Sequence, residues 1–293
     1  MAFNWQTFRT RALTALVFVA VMLTGLLWNH WSFFILFSII HFGCWLEYQR
    51  LTGLTDKAYQ EISPFHRYGV LLAGWCLLLY FTNEDYTIFG FHLHEAGWWL
   101  GLLLIFILPI VELLFAKQVS PKNIGHSALG LLYISLSLGL MIDLRSKFTQ
   151  VSFVVSKADM GLIIPILIIA SIWINDTMAY IVGSLIGKTP LSSISPKKTW
   201  EGTIGGIILA IVSITLFWNY AFPGSHWYSV AIIVAIASIA GTFGDLLESK
   251  LKRMANVKDS GSIMPGHGGF LDRFDSLLLA TPFVWLYVTL FMK

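Results

Sequence analysis

The sequence predicts an all-α integral membrane protein of about nine transmembrane helices, with a polar, cytoplasm-facing cavity in its C-terminal half. Hydrophobic residues make up 56% of the 293 residues, and charged residues only 12%. Soluble domains carry about 25% charged residues, so the lipid bilayer is the expected solvent. Long apolar runs recur along the whole chain, and polar residues gather in two clusters in its C-terminal half.

About nine apolar runs are each long enough, or nearly long enough, to cross roughly 30 Å of hydrocarbon as a helix. The third run is the shortest. The runs cover residues 12–28, 31–45, 68–81, 97–116, 124–142, 160–182, 203–220, 227–247 and 276–292.

The distribution of positive charge predicts the orientation of these helices. With the N-terminus in the cytoplasm, most of the 19 Lys and Arg residues fall in inward-facing segments, as short cytoplasmic loops require. One outward loop departs from this bias, because it contains Arg145, Lys147 and Lys157. We therefore expect a cytoplasmic N-terminus in the cell (inner) membrane, and a polar site that faces the cytoplasm.

No linker or repeat divides the chain, so residues 1–293 are interpreted as one polytopic domain. Within it, residues 1–158 form the N-terminal helices, and residues 159–293 contain the polar clusters. The net charge of +3 is too small to indicate a nucleic-acid partner.

The first polar cluster lies between residues 175 and 206. Asp176 and Tyr180 share one face of an apolar helix, and a carboxylate inside a membrane helix favours a polar cavity over a purely structural partner. The following loop, S-P-K-K-T-W-E-G, contains Lys197 and Lys198. These lysines either bind an anionic headgroup or only maintain the topology.

The second cluster begins with Asp245, Glu248, Ser249 and Lys252, whose spacing places them along one stripe of a helix. Two carboxylates on such a stripe are suited to a hard cation such as Mg²⁺. They would equally suit a solvated helix end that pairs with Lys252 and Arg253.

A glycine-rich loop follows this helix. Glycines such as Gly268 and Gly269 allow the backbone to approach a bound phosphate, although a simple turn would use them too. Asp272 and Asp275 open the last apolar run, where one of them is expected to cap the helix. His267 is interpreted either as a general acid or base or as a structural hydrogen-bonding group.

The run S-K-L-K-R-M-A-N-V-K-D-S-G-S-I-M-P-G-H-G-G-F-L-D-R-F-D, residues 249–275, resembles the signature of phosphatidate cytidylyltransferases. Met264 departs from the usual Leu, Ile or Phe, which is a swap of similar volume. Asp176, Tyr180 and the S-P-K-K-T-W-E-G loop also look like this family. The match covers residues 175–275.

The resemblance implies an enzyme that transfers a cytidylyl group from CTP to phosphatidic acid. The products are pyrophosphate and CDP-diacylglycerol, an intermediate of phospholipid biosynthesis. The expected partners are CTP, phosphatidic acid, the bilayer and Mg²⁺, with one or two metal ions. A homodimer is an open alternative to a monomer.

The resemblance also implies roles for individual residues. The candidate catalytic residues are Asp245, Lys252, His267, Asp272 and Arg273. The candidate metal ligands are Asp245, Asp272 and Asp275. The candidate substrate-binding residues are Asp176, Lys198, Ser249, Arg253, Lys258, Asp259, Gly268 and Gly269.

Two other functions remain open at this point. A CTP-dependent polyprenol or lipid kinase would share the helices and the metal chemistry, but it fits the full run to Asp275 less well. A cation or proton transporter would also place Asp176 in the membrane, but it would not need the basic, glycine-rich loop.

Overall fold

A computed structural model describes residues 5–115, 120–147, 159–262 and 268–292, and nearly all of them are helical. The only strands among these residues, β1 (Thr87–Ile88) and β2 (Phe91–His92), pair antiparallel. The helices are α1 (Trp5–Leu27), α2 (His30–Thr55), α3 (Lys57–Gln60), α4 (Pro64–Tyr80), α5 (Leu93–Phe115), α6 (Pro121–Gly130), α7 (Ser137–Lys147), α8 (Met160–Ile186), α9 (Trp200–Ala221), α10 (Trp227–Met254) and α11 (Leu271–Phe291). A π-helical segment, Leu131–Leu136, joins α6 to α7.

Among the described residues, 7 helices are long and apolar enough to cross a membrane. They are α2, α5, the continuous helix Pro121–Lys147, α8, α9, α10 and α11. The chain is therefore an all-α integral membrane protein, as its composition predicts. Helix α1 overlaps the first predicted run, and helix α4 overlaps the third. The apolar parts of both helices are shorter than the 7 candidate membrane spans.

The chain divides into two compact units. Unit 1 comprises Met1–Ile142 and Leu251–Phe274, and unit 2 comprises Asp143–Lys250 and Asp275–Lys293. The chain therefore passes between the units within α7, α10 and α11.

In unit 1, α2 packs against α1, α4 and α6. Two of its buried side chains contact the π-helical segment: Ser135 Oγ lies 3.0 Å from His41 Nε2 and accepts a hydrogen bond from Trp45 Nε1 at 2.8 Å. Buried polar groups are costly unless they are paired, so these contacts fix the register of the helices. At the end of α2, Asp56 forms an ion pair of 2.9 Å with Lys122. The hydrogen bond from Lys122 lowers the pKa of the Asp56 carboxyl group.

In unit 2, α8 and α9 pack together through glycines. A Cβ atom at Gly202 would lie 2.7 Å from the carbonyl oxygen of Ala179, and one at Gly206 would lie 2.8 Å from that of Asn175. The order of these contacts makes the two helices antiparallel. Small residues that let backbones approach closely are a common basis of helix association in membranes.

Helices α10 and α11 also pack closely in unit 2. A Cβ atom at Gly244 would lie 2.5 Å from the carbonyl oxygen of Asp275. Asp275 is the first residue of α11 that belongs to unit 2, and Gly244 immediately precedes Asp245. The contact therefore places Asp275 beside the backbone of α10 next to Asp245. Farther along α11, Trp285 Nε1 donates a 2.6 Å hydrogen bond to Asp143.

We predict that Gly206→Ala lowers the thermal unfolding temperature by several degrees, because the new methyl group would overlap the backbone of α8. Overpacking of this kind costs about 1–3 kcal/mol. The measurement is thermal unfolding of the purified protein in detergent. Gly125→Ala is the matched control, since nothing lies within 4 Å of its Cβ position in a helix. Equal stability of the two variants would contradict the close packing of α8 and α9.

Candidate active site

A polar cavity of about 360 Å³ lies in unit 2. Two carboxylates and two lysines of the predicted polar clusters reach this cavity. Its lining includes Asn175, Asp176, Tyr180, Lys197, Lys198 and Asp245. The glycine packing of α8 against α9 leaves Asp176 on the cavity wall rather than between the two helices.

Asp245 has two polar partners in unit 2. It forms an ion pair with Lys198, and Ser249 Oγ donates a 3.2 Å hydrogen bond to its Oδ1. Ser249 lies one turn after Asp245 on α10, as the predicted stripe requires. The lysine neutralises a carboxylate that would otherwise be unfavourable among apolar helices.

The loop between α8 and α9 folds back on itself and so fixes the backbone of Lys198. Leu191 N donates to the carbonyl oxygen of Lys198 at 2.8 Å. The Glu201 carboxylate closes the loop, because it accepts hydrogen bonds from the Thr189 hydroxyl at 2.8 Å and from the Thr189 amide at 3.1 Å. Lys197 stays exposed on the same loop.

Asp272 binds the described ends of the glycine-rich loop in unit 1, at Ser260 and Gly269. Its Oδ1 lies 2.6 Å from Lys252 Nζ. Its Oδ2 accepts hydrogen bonds from the Ser260 amide at 2.8 Å, the Ser260 hydroxyl at 2.9 Å and the Gly269 amide at 2.8 Å. Gly268 has φ +82°, and a Cβ atom there would lie 2.6 Å from Oδ2, so glycine is required at this position.

Glu47, on α2, holds the same loop from the N-terminal part of the chain. Its Oε1 accepts from Phe270 N at 2.9 Å, and its Oε2 accepts from Leu271 N at 2.8 Å. These amides belong to the beginning of α11, where a helix has no internal acceptors for its N–H groups. Ser260 Oγ lies 2.7 Å from Glu47 Oε2, so its single proton is shared between Glu47 and Asp272.

Two glycines are needed beside Glu47. A Cβ atom at either Gly261 or Gly269 would overlap the Glu47 carboxylate. Four features therefore meet at one point in unit 1: the glycines of the loop, the beginning of α11, the Lys252–Asp272 ion pair and Glu47.

The remaining predicted site residues differ in burial and in the unit to which they belong. Arg253, Lys258, Asp259 and Arg273 are exposed, and Asp275 is buried with its Oδ1 accepting from the Ser276 amide at 2.5 Å. Asp275 belongs to unit 2, as Asp245 does, whereas Asp272 belongs to unit 1. His267 and Met264 lie outside the described residues.

Two residues of these centres, Glu47 and Glu201, were absent from the predicted site. The apolar run was expected to end at residue 45, but α2 continues to Thr55 and so carries Glu47 on a helix. An acidic residue within a membrane helix is the signal that would have identified it. Glu201 lies in the S-P-K-K-T-W-E-G loop, but its partner Thr189 could not be inferred from spacing.

Some oxygen atoms of the described residues are suited to binding Mg²⁺. Asp176 and Asp245 line one cavity, together with Asn175, whose Oδ1 is buried and has no hydrogen-bond partner among the described residues. Oxygen donors of this kind suit Mg²⁺, which usually takes one or two carboxylates plus waters and substrate phosphates. No group of three or more Asp, Glu, His or Cys side chains in the described part of the chain is arranged to hold a metal alone.

Asp272 is a more restricted ligand. Its Oδ2 already accepts from three donors, so only Oδ1, which faces Lys252, could reach a metal ion. The assignment of Asp245, Asp272 and Asp275 to one metal site remains a prediction.

The helices and the two charged centres define an integral membrane protein that presents lysines and carboxylates together in polar sites. A model of the cytidylyltransferase family matches residues 9–291. The chain is 33% identical over 98% of its length to the phosphatidate cytidylyltransferase of Bacillus subtilis, of which it covers 98%. It is 30% identical over 94% of its length to that of Haemophilus influenzae, of which it covers 96%.

The chain therefore belongs to the cytidylyltransferase family, and the resemblance inferred from its signature is confirmed. A phosphatidate cytidylyltransferase from Synechocystis is 44% identical over 136 residues, 45% of each chain.

We predict that Glu47→Gln loosens the beginning of α11, because a neutral amide is a weaker acceptor than a carboxylate and presents N–H groups to N–H groups. Amide hydrogen exchange at Phe270 and Leu271 should accelerate by roughly tenfold or more, which corresponds to a loss of about 1.4 kcal/mol.

The control is Glu61→Gln, which changes an exposed carboxylate at the end of α3. Unchanged exchange in Glu47→Gln would show that Glu47 does not hold the loop.

Proposed function

We propose that this protein transfers a cytidylyl group from CTP to phosphatidic acid, yielding CDP-diacylglycerol and pyrophosphate. The observation that carries the proposal is the glycine-rich loop built around Asp272 and Lys252, in a chain that matches the Bacillus relative over nearly its full length. The relatives are phosphatidate cytidylyltransferases, and phosphatidate is therefore the proposed lipid substrate.

The chemistry requires no covalent enzyme intermediate. An oxygen of the phosphatidate phosphate attacks the α-phosphorus of CTP, and a new phosphorus–oxygen bond forms. The bond between the α-phosphorus and the oxygen bridging to the β-phosphate breaks, and pyrophosphate leaves with that electron pair. Both reactants are polyanions, so the main tasks of the protein are to position them in line and to neutralise their charge.

The residues available for neutralisation are basic side chains in both units. Lys197 and Lys198 line the cavity in unit 2, and we assign this cavity, with Asp176, to the phosphatidate headgroup. Lys252, Arg253, Lys258 and Arg273 belong to the glycine-rich loop or its flanking helices, and we assign them, with Ser249, Asp259, Gly268 and Gly269, to CTP. His267 is retained as the candidate acid or base.

Mg²⁺ is the proposed cofactor, as one ion or two, and Asp245, Asp272 and Asp275 are its proposed ligands. When bound, it would supply positive charge to the reacting phosphates. The oxygen donors of the cavity in unit 2 support this assignment for Asp245.

The proposed location is the cell (inner) membrane, with nine spans, a cytoplasmic N-terminus and the site on the cytoplasmic side. The excess of Lys and Arg in the segments assigned to that side supports this orientation. CTP is a cytoplasmic solute, so the proposed substrate requires the same side. We propose a single membrane domain, in which residues 1–158 form the N-terminal helices and residues 159–293 form the catalytic part. The proposed oligomeric states are a monomer and, as an alternative, a homodimer.

We predict that purified protein with radiolabelled CTP, phosphatidic acid and Mg²⁺ forms labelled CDP-diacylglycerol, and that chelation of Mg²⁺ stops the reaction. The label is placed at the α-phosphate and, in a parallel reaction, at the γ-phosphate. Only the α-label should enter the lipid. Transfer of the γ-label would indicate a kinase and contradict the proposal, and so would the absence of any labelled lipid.

We also predict that Asp272→Asn abolishes turnover, which means a fall of at least about 100-fold. The substitution keeps the shape of the side chain but removes the charge that pairs with Lys252. Thermal unfolding in detergent checks that the variant remains folded. Asp85→Asn, at an exposed position, is the matched control. Turnover near the wild-type value would exclude Asp272 from the catalytic site.

A further inference from the structure

A second cavity, of about 380 Å³, lies within unit 1. It is formed by the last turns of α2, by α3 and by the first turn of α4. Its lining includes Leu46, Gln49, Arg50, Leu54, Gln60 and Arg67. None of these residues belongs to the active site proposed above.

The cavity is positively charged. Arg50 and Arg67 line it, and its lining contains no acidic residue within the described ranges of the chain. Arginine presents a fork of N–H donors that matches the oxygens of a phosphate group. A phosphate is therefore the kind of anion that this pair of side chains would bind.

Two buried polar atoms of the cavity residues have no hydrogen-bond partner among the residues that the structure describes. One is an acceptor, Gln49 Oε1, on a side chain only 6% exposed, and the other is a donor, Arg67 Nε. Other atoms of the same two side chains are bonded: Gln49 Nε2 donates to the carbonyl oxygen of Arg67 at 2.9 Å, and Arg67 Nη2 donates to that of Gln60 at 3.1 Å. An unmade hydrogen bond in such a position is costly. A ligand that offers both an acceptor and a donor would satisfy both atoms.

The cavity also has apolar walls. Leu46 and Leu54 are about half exposed on α2, which is a candidate membrane span, and Tyr68 is half exposed on α4. Exposed leucines on a membrane helix contact lipid chains, and tyrosine is common where the chains meet the headgroups. This environment suits an amphiphilic ligand better than a freely soluble one.

We propose that this cavity binds the headgroup of an anionic phospholipid whose phosphodiester is followed by a hydroxyl group. The phosphate accepts hydrogen bonds from Arg67 Nε and from Arg50, and the headgroup hydroxyl donates to Gln49 Oε1. The acyl chains lie along Leu46 and Leu54. Basic pockets at the ends of membrane helices are known to bind phospholipid headgroups. A soluble glycerol phosphate shares the same polar chemistry.

The test measures binding to the purified full chain by native mass spectrometry and by thermal unfolding in detergent. The probes are dioleoyl phosphatidylglycerol, dioleoyl phosphatidylmethanol and dioleoylglycerol, which have the same acyl chains. Phosphatidylmethanol keeps the charge but lacks the headgroup hydroxyl, and dioleoylglycerol lacks the phosphate. We expect binding to weaken in that order, by about tenfold at each step for a lost hydrogen-bonding partner.

Two variants assign the contacts. Arg50→Gln should weaken both anionic lipids about tenfold, whereas Gln49→Met should remove only the difference between phosphatidylglycerol and phosphatidylmethanol. Arg9→Gln is the matched control, because it removes one exposed arginine outside the cavity. Arg50 is itself exposed, so its substitution should leave the protein folded.

Equal binding of all three lipids, no effect of Arg50→Gln, or an equal effect of Arg9→Gln would overturn the proposal. Displacement of phosphatidylglycerol by millimolar glycerol 3-phosphate would support the phosphate chemistry and assign the cavity to a soluble ligand. Cytidylyl transfer, assayed without phosphatidylglycerol, should persist in Arg50→Gln. Its loss would place Arg50 in the substrate site and overturn the assignment of a separate cavity.

Discussion

The glycine-rich loop depends on the Glu47 carboxylate. The first amides of α11 need an external acceptor, and they find it on α2, a helix more than 200 residues earlier in the chain. This acceptor carries a negative charge at the positive end of a helix dipole, which strengthens the contact. The arrangement of Ser260, Gly269 and Asp272 follows, because Ser260 shares its proton between Glu47 and Asp272.

Charge balance is the second constraint on both centres. In unit 1, Lys252 pairs with Asp272, and in unit 2, Lys198 pairs with Asp245. Unpaired charges would be costly among apolar helices, so each aspartate is accompanied by a lysine. A phosphate that enters either centre offers the lysine a second anionic partner. Binding of substrate would then change the distribution of charge around each aspartate.

The sequence predicted the helical membrane class and the family, because hydropathy and motif spacing are local properties. Asp176, Lys198 and Asp245 were expected to be polar-site residues, and they line one cavity. The end of α2 was placed ten residues too early, since Glu47 and Arg50 lower the local hydropathy while the helix continues to Thr55. The contact between Glu47 and the loop could not be predicted, because no spacing rule connects residues so far apart.

The placement of Glu47 also limits how this protein can be dissected. A fragment that begins after residue 158 would contain the whole signature and the cavity in unit 2. Its sequence would therefore include every predicted catalytic residue. It would lack the carboxylate that receives the first amides of α11. The N-terminal helices are thus more than a membrane anchor, and the two parts of the chain must be inherited, expressed and engineered together.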